Sequence, residues 1–521
     1  MSTHGILEGS PKTPPGPVKF EIYRDGVRQM GFTPIAAHAV GPESVPIAGD
    51  VSFKDGLLLV NRSDNHAIGV GLLWDAGAQG AFHLETTRLQ PRERPYVLNV
   101  ELARFRLMKI VQKQEDWNLF DFPKAEVALK KFRDAQSLFA DALGVSMDDP
   151  AAASRFGDQA LGMAIEVSEE LALFHAELLL NRRRAGGGFV KHIFGCRVDC
   201  TVQNPKYRET PAGNFDYAVV PTSWKLIQPQ ESAFAPEPID AFVEALSRRR
   251  IPIIAGPLIN LVETELPDWT FIWENDFDTL RELAYEHVQK VVYRYRRAVA
   301  LWNVVGGVNT NRAISLTFEQ MIELTRMLVS LVKNLLPNAR TLINVTMPFG
   351  DYHARKAGSV APILYAEMAA QAGINFDGFA VQIEMGVPQP GRFVRDLFQI
   401  STMLDRFSAI GRPVFITAVS CPGRPTPDPS DQSEGRLDPA LAGRWRRPWD
   451  PQLQADWLES VYRIALSKPF VESIAWADLA DINQSVPAGG LLDDVFQPKP
   501  AFTRLQQLRQ QFAQWSAAKK G

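Results

Sequence analysis

Cysteine is scarce in this chain, with three in 521 residues, at Cys196, Cys200 and Cys421. So sparse and odd a set excludes a disulfide framework. Cys196 and Cys200 sit four apart in a run that reads as a strand, which sets them about 13 Å apart at ~3.3 Å per residue, so core thiols are expected. Excess charge of one sign is missing too. Lys plus Arg (56) nearly cancels Asp plus Glu (59), leaving a net charge of −3, which gives no field to hold nucleic acid or an anionic membrane surface. No run of about twenty apolar residues occurs, and the first residues hold no basic segment followed by an apolar one. The chain is expected to be cytoplasmic as written, or secreted if its true start lies upstream, with no membrane or nucleic-acid partner. Its eight histidines are scattered, and it contains no His-x-x-x-His, Cys-x-x-Cys, Gly-x-Ser-x-Gly or phosphate-loop motif. No metal, cofactor or serine nucleophile is therefore expected.

What is present is a globular composition, 45% hydrophobic and 22% charged, in a chain long enough for several domains. Residues 1–18, rich in Pro, Gly, Ser and Thr, read as a flexible tail. From 19 to 98, alternating runs broken by Asp-Gly turns predict an all-β, sandwich-like domain. Apolar spacings of three and four over 97–114, 124–144 and 159–184 predict a helical linker at 99–187, closed by Gly186 to Gly188. Beyond it, eight short apolar runs (190–198, 216–221, 251–259, 298–305, 341–347, 378–383, 413–419 and 471–476) alternate with amphipathic stretches. The clearest stretch has a Thr317/Gln320 capping box, an apolar face from Met321 to Leu335 and a stop at Pro337. Eight β/α units are the arithmetic of an α/β fold, a (β/α)8 TIM barrel at 188–515. A doubly wound sheet would advertise a glycine-rich loop after its first strand, and none follows 190–198.

Past the fourth run stands Trp302-Asn303-Val304-Val305-Gly306-Gly307, preceded by Arg294-Tyr295, and past the seventh Ile416-Thr417-Ala418. These segments resemble glycoside hydrolase family 10, the endo-1,4-β-xylanases, with their R-Y…W-D-V-V-N-E and I-T-E-L-D strands. Val220 to Gln230 is similar to the family's second-strand segment, in which Lys225 would contact sugar. Gly256, Pro267 and Trp269 match its third-strand run, and Phe379 to Glu384 its sixth, with Gln382 in place. Trp476 and the stretch from Gly490-Leu491-Leu492-Asp493 to Phe502 match its ending. The resemblance covers roughly residues 150–515. It implies a β-linked poly- or oligosaccharide as partner.

The departures fall on chemistry. A retaining glycosidase needs an acid and a nucleophilic carboxylate ~5–5.5 Å apart. The two family positions hold Gly307 and Ala418, which can neither transfer a proton nor form a glycosyl ester. The residue before the first is Gly306, and two family histidines are replaced by Pro257 and Glu384. One reading moves catalysis to Glu384, with Glu263, Glu265, Asp351, Asp478 or Asp481 as partner; a plain ion pair with Arg392 or Arg395 is the alternative for Glu384. A second reading keeps glycan binding without cleavage, through Trp224, Lys225, Trp302, Gln382 and Trp476. A third centres on the Pro-rich insertion 421–456, whose Arg436, Arg444, Trp445, Arg446, Arg447 and Trp449 suit an acidic sugar or a partner protein. The expected function is that of a xylanase-like protein acting on a β-linked glycan, through Glu384 and Glu263 if it cleaves, with Arg446 added to the binding set. Its alternative is a non-catalytic carbohydrate-binding or scaffold barrel.

Overall fold

The computed structural model describes residues 16–62, 66–119, 126–186, 189 and 192–517. The expected tail up to residue 15 and the glycines 187 and 188 lie outside them. Two Asp-Gly pairs, Asp25-Gly26 and Asp55-Gly56, have positive φ at both positions, the geometry that closes two-residue hairpins. The second joins Asp50–Lys54 to Leu57–Asn61. Val18–Glu21 and Tyr96–Val97 complete a four-stranded sheet. A second sheet of five strands contains His38–Val40, Pro46–Ile47, Gly69–Asp75 and Gly80–Glu85. Alternate residues of both sheets, among them Phe20, Leu58, Val70, Leu72 and Phe82, are buried in one apolar cluster, as period-two patterning requires.

The fifth strand of that second sheet is not local. Arg444–Trp445, from the insertion after the seventh barrel strand, pairs antiparallel with Gly80 and Ala81. The insertion, expected as a loop over the barrel mouth, thus runs out to the N-terminal sheet and is stitched into it by backbone hydrogen bonds.

Three helices follow, α1 (Leu98–Asp116), α2 (Glu126–Val145) and α3 (Pro150–Gly186). α3 packs on both of the others and on two barrel helices, Leu397–Ser408 and Pro451–Ser467. Buried charge fixes this contact. Asp396 caps the helix Leu397–Ser408 through a capping box with Gln399, is fully buried, and receives the Arg106 guanidinium of α1, Nη1 at 3.1 Å from Oδ1 and Nη2 on Oδ2. Glu169 of α3 accepts from Leu397 N at 3.0 Å and from Trp445 Nε1 at 2.8 Å. One carboxylate therefore holds α3, a barrel helix and the insertion together.

The barrel is closed. Its strands are Phe194–Arg197, Tyr217–Val220, Ile253–Ala255 continued by Ile259–Asn260, Val299–Gly306, Arg340–Val345, Gly378–Glu384, Val414–Ser420 and Val471–Trp476. All eight pair in parallel, the first with the eighth and the third with the fourth. Every strand falls within or against an apolar run read from the sequence. The expected capping box of Thr317 and Gln320 opens the helix Phe318–Leu335. Cys196 lies in the first strand, whereas Cys200 lies past its end; both are buried. Inside the barrel, Tyr217, Ile254, Leu301, Leu342, Ala380, Phe415 and Ala475 form one apolar layer, so the lower half is packed and only the carboxyl ends of the strands are open.

Two outcomes follow from the buried carboxylates. Arg106→Met leaves Asp396 charged and unpaired, and is expected to lower stability by about 3–5 kcal/mol, read as a shift in the urea midpoint. Burial, together with nearby Asp396, raises the Glu169 carboxyl to about 7. The folded state therefore favours its protonated form, and the contribution to stability is full below about 4.5 and lost as pH rises through about 7. Glu169→Gln, which keeps the acceptor oxygen, is expected to remove this decline and to make the protein more stable than wild type at pH 8, by up to about 3 kcal/mol.

Candidate functional site

The strand ends surround a cavity of about 720 Å3. One of its lining residues is Arg197, at the end of the first strand. Arg197 Nε donates to Ala477 O at 2.9 Å, and its two terminal nitrogens face two carboxylates, Glu384 at 3.3 Å and Asp478 at 3.5 Å. Glu384, ending the sixth strand, also takes Arg392 Nη2 at 2.6 Å. Asp478, just past the eighth, accepts from Ser485 N at 3.0 Å and Ser485 Oγ at 2.7 Å. The result is a chain of alternating charge, Arg392–Glu384–Arg197–Asp478, across three strand ends.

The two carboxylates are driven apart in acidity. Burial by itself would raise Glu384, but Arg392 and Arg197 more than offset it and hold the group below its usual value. Burial dominates at Asp478, where Arg197 and Ser485 offset it only partly and Glu384 adds repulsion, so its carboxyl is raised. Since both lie on one guanidinium, they are within the ~10 Å that a glycosidase carboxylate pair spans.

The floor is polar and unsatisfied. Asn303 and Thr417 line the cavity, and their buried Oδ1 and Oγ1 have no hydrogen-bond partner among the described residues. Thr417 is there because the sixth and seventh strands slip in register. Val381 opposes Ile416 and Gln382 opposes Ala418, so Thr417 is the extra residue of a bulge, a device that re-aims a side chain. Ala418 is fully buried and does not line the cavity. Gly307 has φ +73°, and a Cβ there would stand 2.8–2.9 Å from the backbone of Leu261. A side chain at 307 has neither the room nor the backbone conformation it needs. Its N–H instead donates to Thr346 Oγ1 at 3.0 Å.

Of the residues read from sequence, Glu384, Gln382 and Glu263 line the cavity. Glu384 is in the expected ion pair with Arg392, while Glu263 stands exposed at the rim. The other binding residues need correction. Trp224, Trp302 and Trp476 are at most 1% exposed and serve the core: Trp224 stacks on His287 at 5.0 Å, and Trp476 Nε1 donates to Gly489 O at 2.8 Å. None has a free face for a sugar ring. Lys225 lies outside the cavity, paired with Asp268 at 2.6 Å. Arg446 lies beside Glu169 at 3.7 Å, in a separate hollow on α3. Of the insertion's arginines and tryptophans only Arg436 reaches the cavity; Arg444 pairs with Asp75 and Arg447 with Asp450. Among the candidate partners for Glu384, Asp351 belongs to Arg395 and Asp481 to Lys499; Glu263, Glu265 and Asp478 line the cavity, and of these Asp478 shares the Arg197 guanidinium with Glu384. Sequence reasoning missed Arg197, whose signal was a charged residue at the carboxyl end of an apolar run, and Thr417, whose place in the cavity lining depends on the bulge.

The family profile described as Glycosyl hydrolase family 10 matches residues 190–508, more than half of the chain. The chain belongs to this family. Among solved structures it is similar to xylanase B from Clostridium stercorarium F9, at 16% identity over 63% of this chain and 98% of that one, with a TM-score of 0.46. Xylanase 10B from Thermotoga maritima is similar at 16% identity over 65% and 98%, with a TM-score of 0.46. A family 10 protein from Paenibacillus barcinonensis is similar at 18% identity over 63% and 97%, with a TM-score of 0.46. No curated protein matches the chain. Among the described residues no helix is long and apolar enough to cross a membrane.

The charge chain predicts a pH signature. Because its carboxyl is held below 4.5, Glu384 contributes stability that is present above that value and lost as pH falls through its lower folded one. Glu384→Gln strands Arg197 and Arg392 against each other and is expected to lower stability by about 1–3 kcal/mol at pH 7. The gap to wild type is expected to narrow below pH 4.5, as measured by urea midpoints across pH.

Proposed function

We propose that this family 10 barrel receives a β-linked glycan in the mouth cavity and does not cleave it by the retaining mechanism. The observation that carries this reading is the cavity floor. Buried Asn303 Oδ1 and Thr417 Oγ1 have no partner among the described residues, and leaving such atoms dry is unfavourable unless a ligand or water completes them. Sugar hydroxyls supply both donors and acceptors. The positions that the sequence resemblance sets against the acid and the nucleophile supply no carboxylate, and Gly307 has no space for one. Gln382 and the charged groups of Arg197, Glu384 and Asp478 add planar hydrogen-bonding partners. Among the described residues that line the cavity there is no tryptophan, so recognition rests chiefly on hydrogen bonds.

One observation favours a second reading, hydrolysis by relocated carboxylates. Glu384 held ionised beside Asp478 with a raised pKa is the divergence in acidity that a base and an acid require. A single experiment separates the two. Calorimetric titration with β-xylo- and β-gluco-oligosaccharides is paired with reducing-end release from the same panel. Binding without release is expected, with Asn303→Leu and Thr417→Val each weakening binding at least tenfold, about 1.4 kcal/mol. Release of reducing ends that Glu384→Gln or Asp478→Asn abolishes would instead establish the relocated pair.

A further inference from the structure

No spacing motif links the histidines in the sequence, yet the fold brings two of them to one carboxylate behind the cavity wall. His38 stands on the strand His38–Val40, His83 on Gly80–Glu85, and Asp351 in the segment after the fifth barrel strand. Each is buried, and one donor atom from each lies within 4.8 Å of the others. The geometry points to a divalent transition-metal site, with His38, His83 and Asp351 as ligands, that pins the N-terminal sheet to the barrel.

The proton positions support it. His38 Nδ1 lies 3.1 Å and His83 Nε2 3.4 Å from the same carbonyl oxygen, that of Ala36. A carbonyl only accepts, so both nitrogens carry their ring's proton. The lone pairs then sit on His38 Nε2 and His83 Nδ1. A metal-bound imidazole is normally oriented in this way, its other N–H given to a backbone carbonyl or carboxylate.

The surroundings are shaped for the two rings. Ala36 has φ +57°, a left-handed conformation disfavoured for a residue with a Cβ, and this places its carbonyl between them. Gly71 lies beneath. A Cβ there would come within 2.7 Å of His83 Cε1 and 3.1 Å of His38 Nε2. Asp351 is held by Arg395 Nη2, at 2.7 and 2.8 Å from its two oxygens, and by Gly391 N at 3.0 Å from Oδ2. Oδ1 retains a free lone pair. The charge of Arg395, paired with this carboxylate, also competes with a bound cation.

The spread of 4.8 Å exceeds the separation of about 3.4 Å between ligands on a zinc ion at 2.0–2.1 Å. Binding therefore requires the rings, stacked with centroids 4.8 Å apart, to rotate out of the stack and Arg395 to give up one contact. The consequence reaches the mouth cavity, because Gly391, tied to Asp351, is part of its wall.

The test uses the full chain, stripped with a chelator and titrated with zinc chloride alone, with bound zinc read by mass spectrometry after gel filtration. One zinc per chain is expected, with a melting temperature that rises with free zinc, as mass action on the folded state requires. His38→Gln and His83→Gln are each expected to weaken binding at least tenfold, while His192→Gln, outside the cluster, leaves it unchanged. Zinc retained equally by both cluster variants overturns the assignment. Should the variants fail to fold, the wild-type titration decides: a melting temperature unmoved by excess zinc, with no zinc retained, overturns it.

Discussion

Two buried carboxylates, Asp396 and Glu169, must be satisfied together, and the assembly of the chain depends on how this is done. A buried charge without partners is strongly destabilising, so Asp396 fixes where α1 can lie by requiring Arg106. Glu169 likewise requires Leu397 N and Trp445 Nε1. One helix terminus of the barrel, two helices of the preceding segment and the insertion after the seventh strand meet at this point. With Trp445 anchored, the neighbouring backbone is left to pair with Gly80 and Ala81. The N-terminal sheets are therefore joined to the barrel by hydrogen bonds and buried charge, and not merely appended to it.

At the mouth, a single guanidinium organises the chemistry. Arg197 joins the ends of the first, sixth and eighth strands through Glu384 and Asp478, and Arg392 closes the chain on the far side. Such a network keeps several charges in a partly buried cleft without leaving any one unpaired. It also takes up much of the hydrogen-bonding capacity of both carboxylates. Among the described lining residues, the buried atoms without a hydrogen bond are Asn303 Oδ1, Thr417 Oγ1 and Glu384 Oε1, the last held only by its ion pair with Arg197 at 3.3 Å.

Much of the fold was legible in the sequence. The eight apolar runs, the capping box at Thr317 and Gln320 and the Asp-Gly hairpins are local signals, written in a few adjacent residues and obeyed in the structure. The candidate site was legible only in part. Glu384 and Gln382 were recognisable because a strand end at a barrel mouth faces the cavity. The tryptophans misled because residue type does not tell a sugar platform from a core side chain: Trp224, Trp302 and Trp476 are large and apolar enough for either, and packing chose the core. Arg446 misled for the opposite reason, since a flexible insertion can send its arginines anywhere until its backbone is paired.

The sequence by itself determined the period of each segment, the number of β/α units, the family, and the presence of Gly307 and Ala418 where its pattern has carboxylates. These follow from residue order, because hydrophobic periodicity and turn chemistry act over a few positions. Only the tertiary structure decided that Thr417 and not Ala418 faces the cavity, that Arg197 holds Glu384 and Asp478 together, and that His38 and His83 meet Asp351. Each of these depends on register, closure or burial between segments tens to hundreds of residues apart, and no local rule encodes such distances.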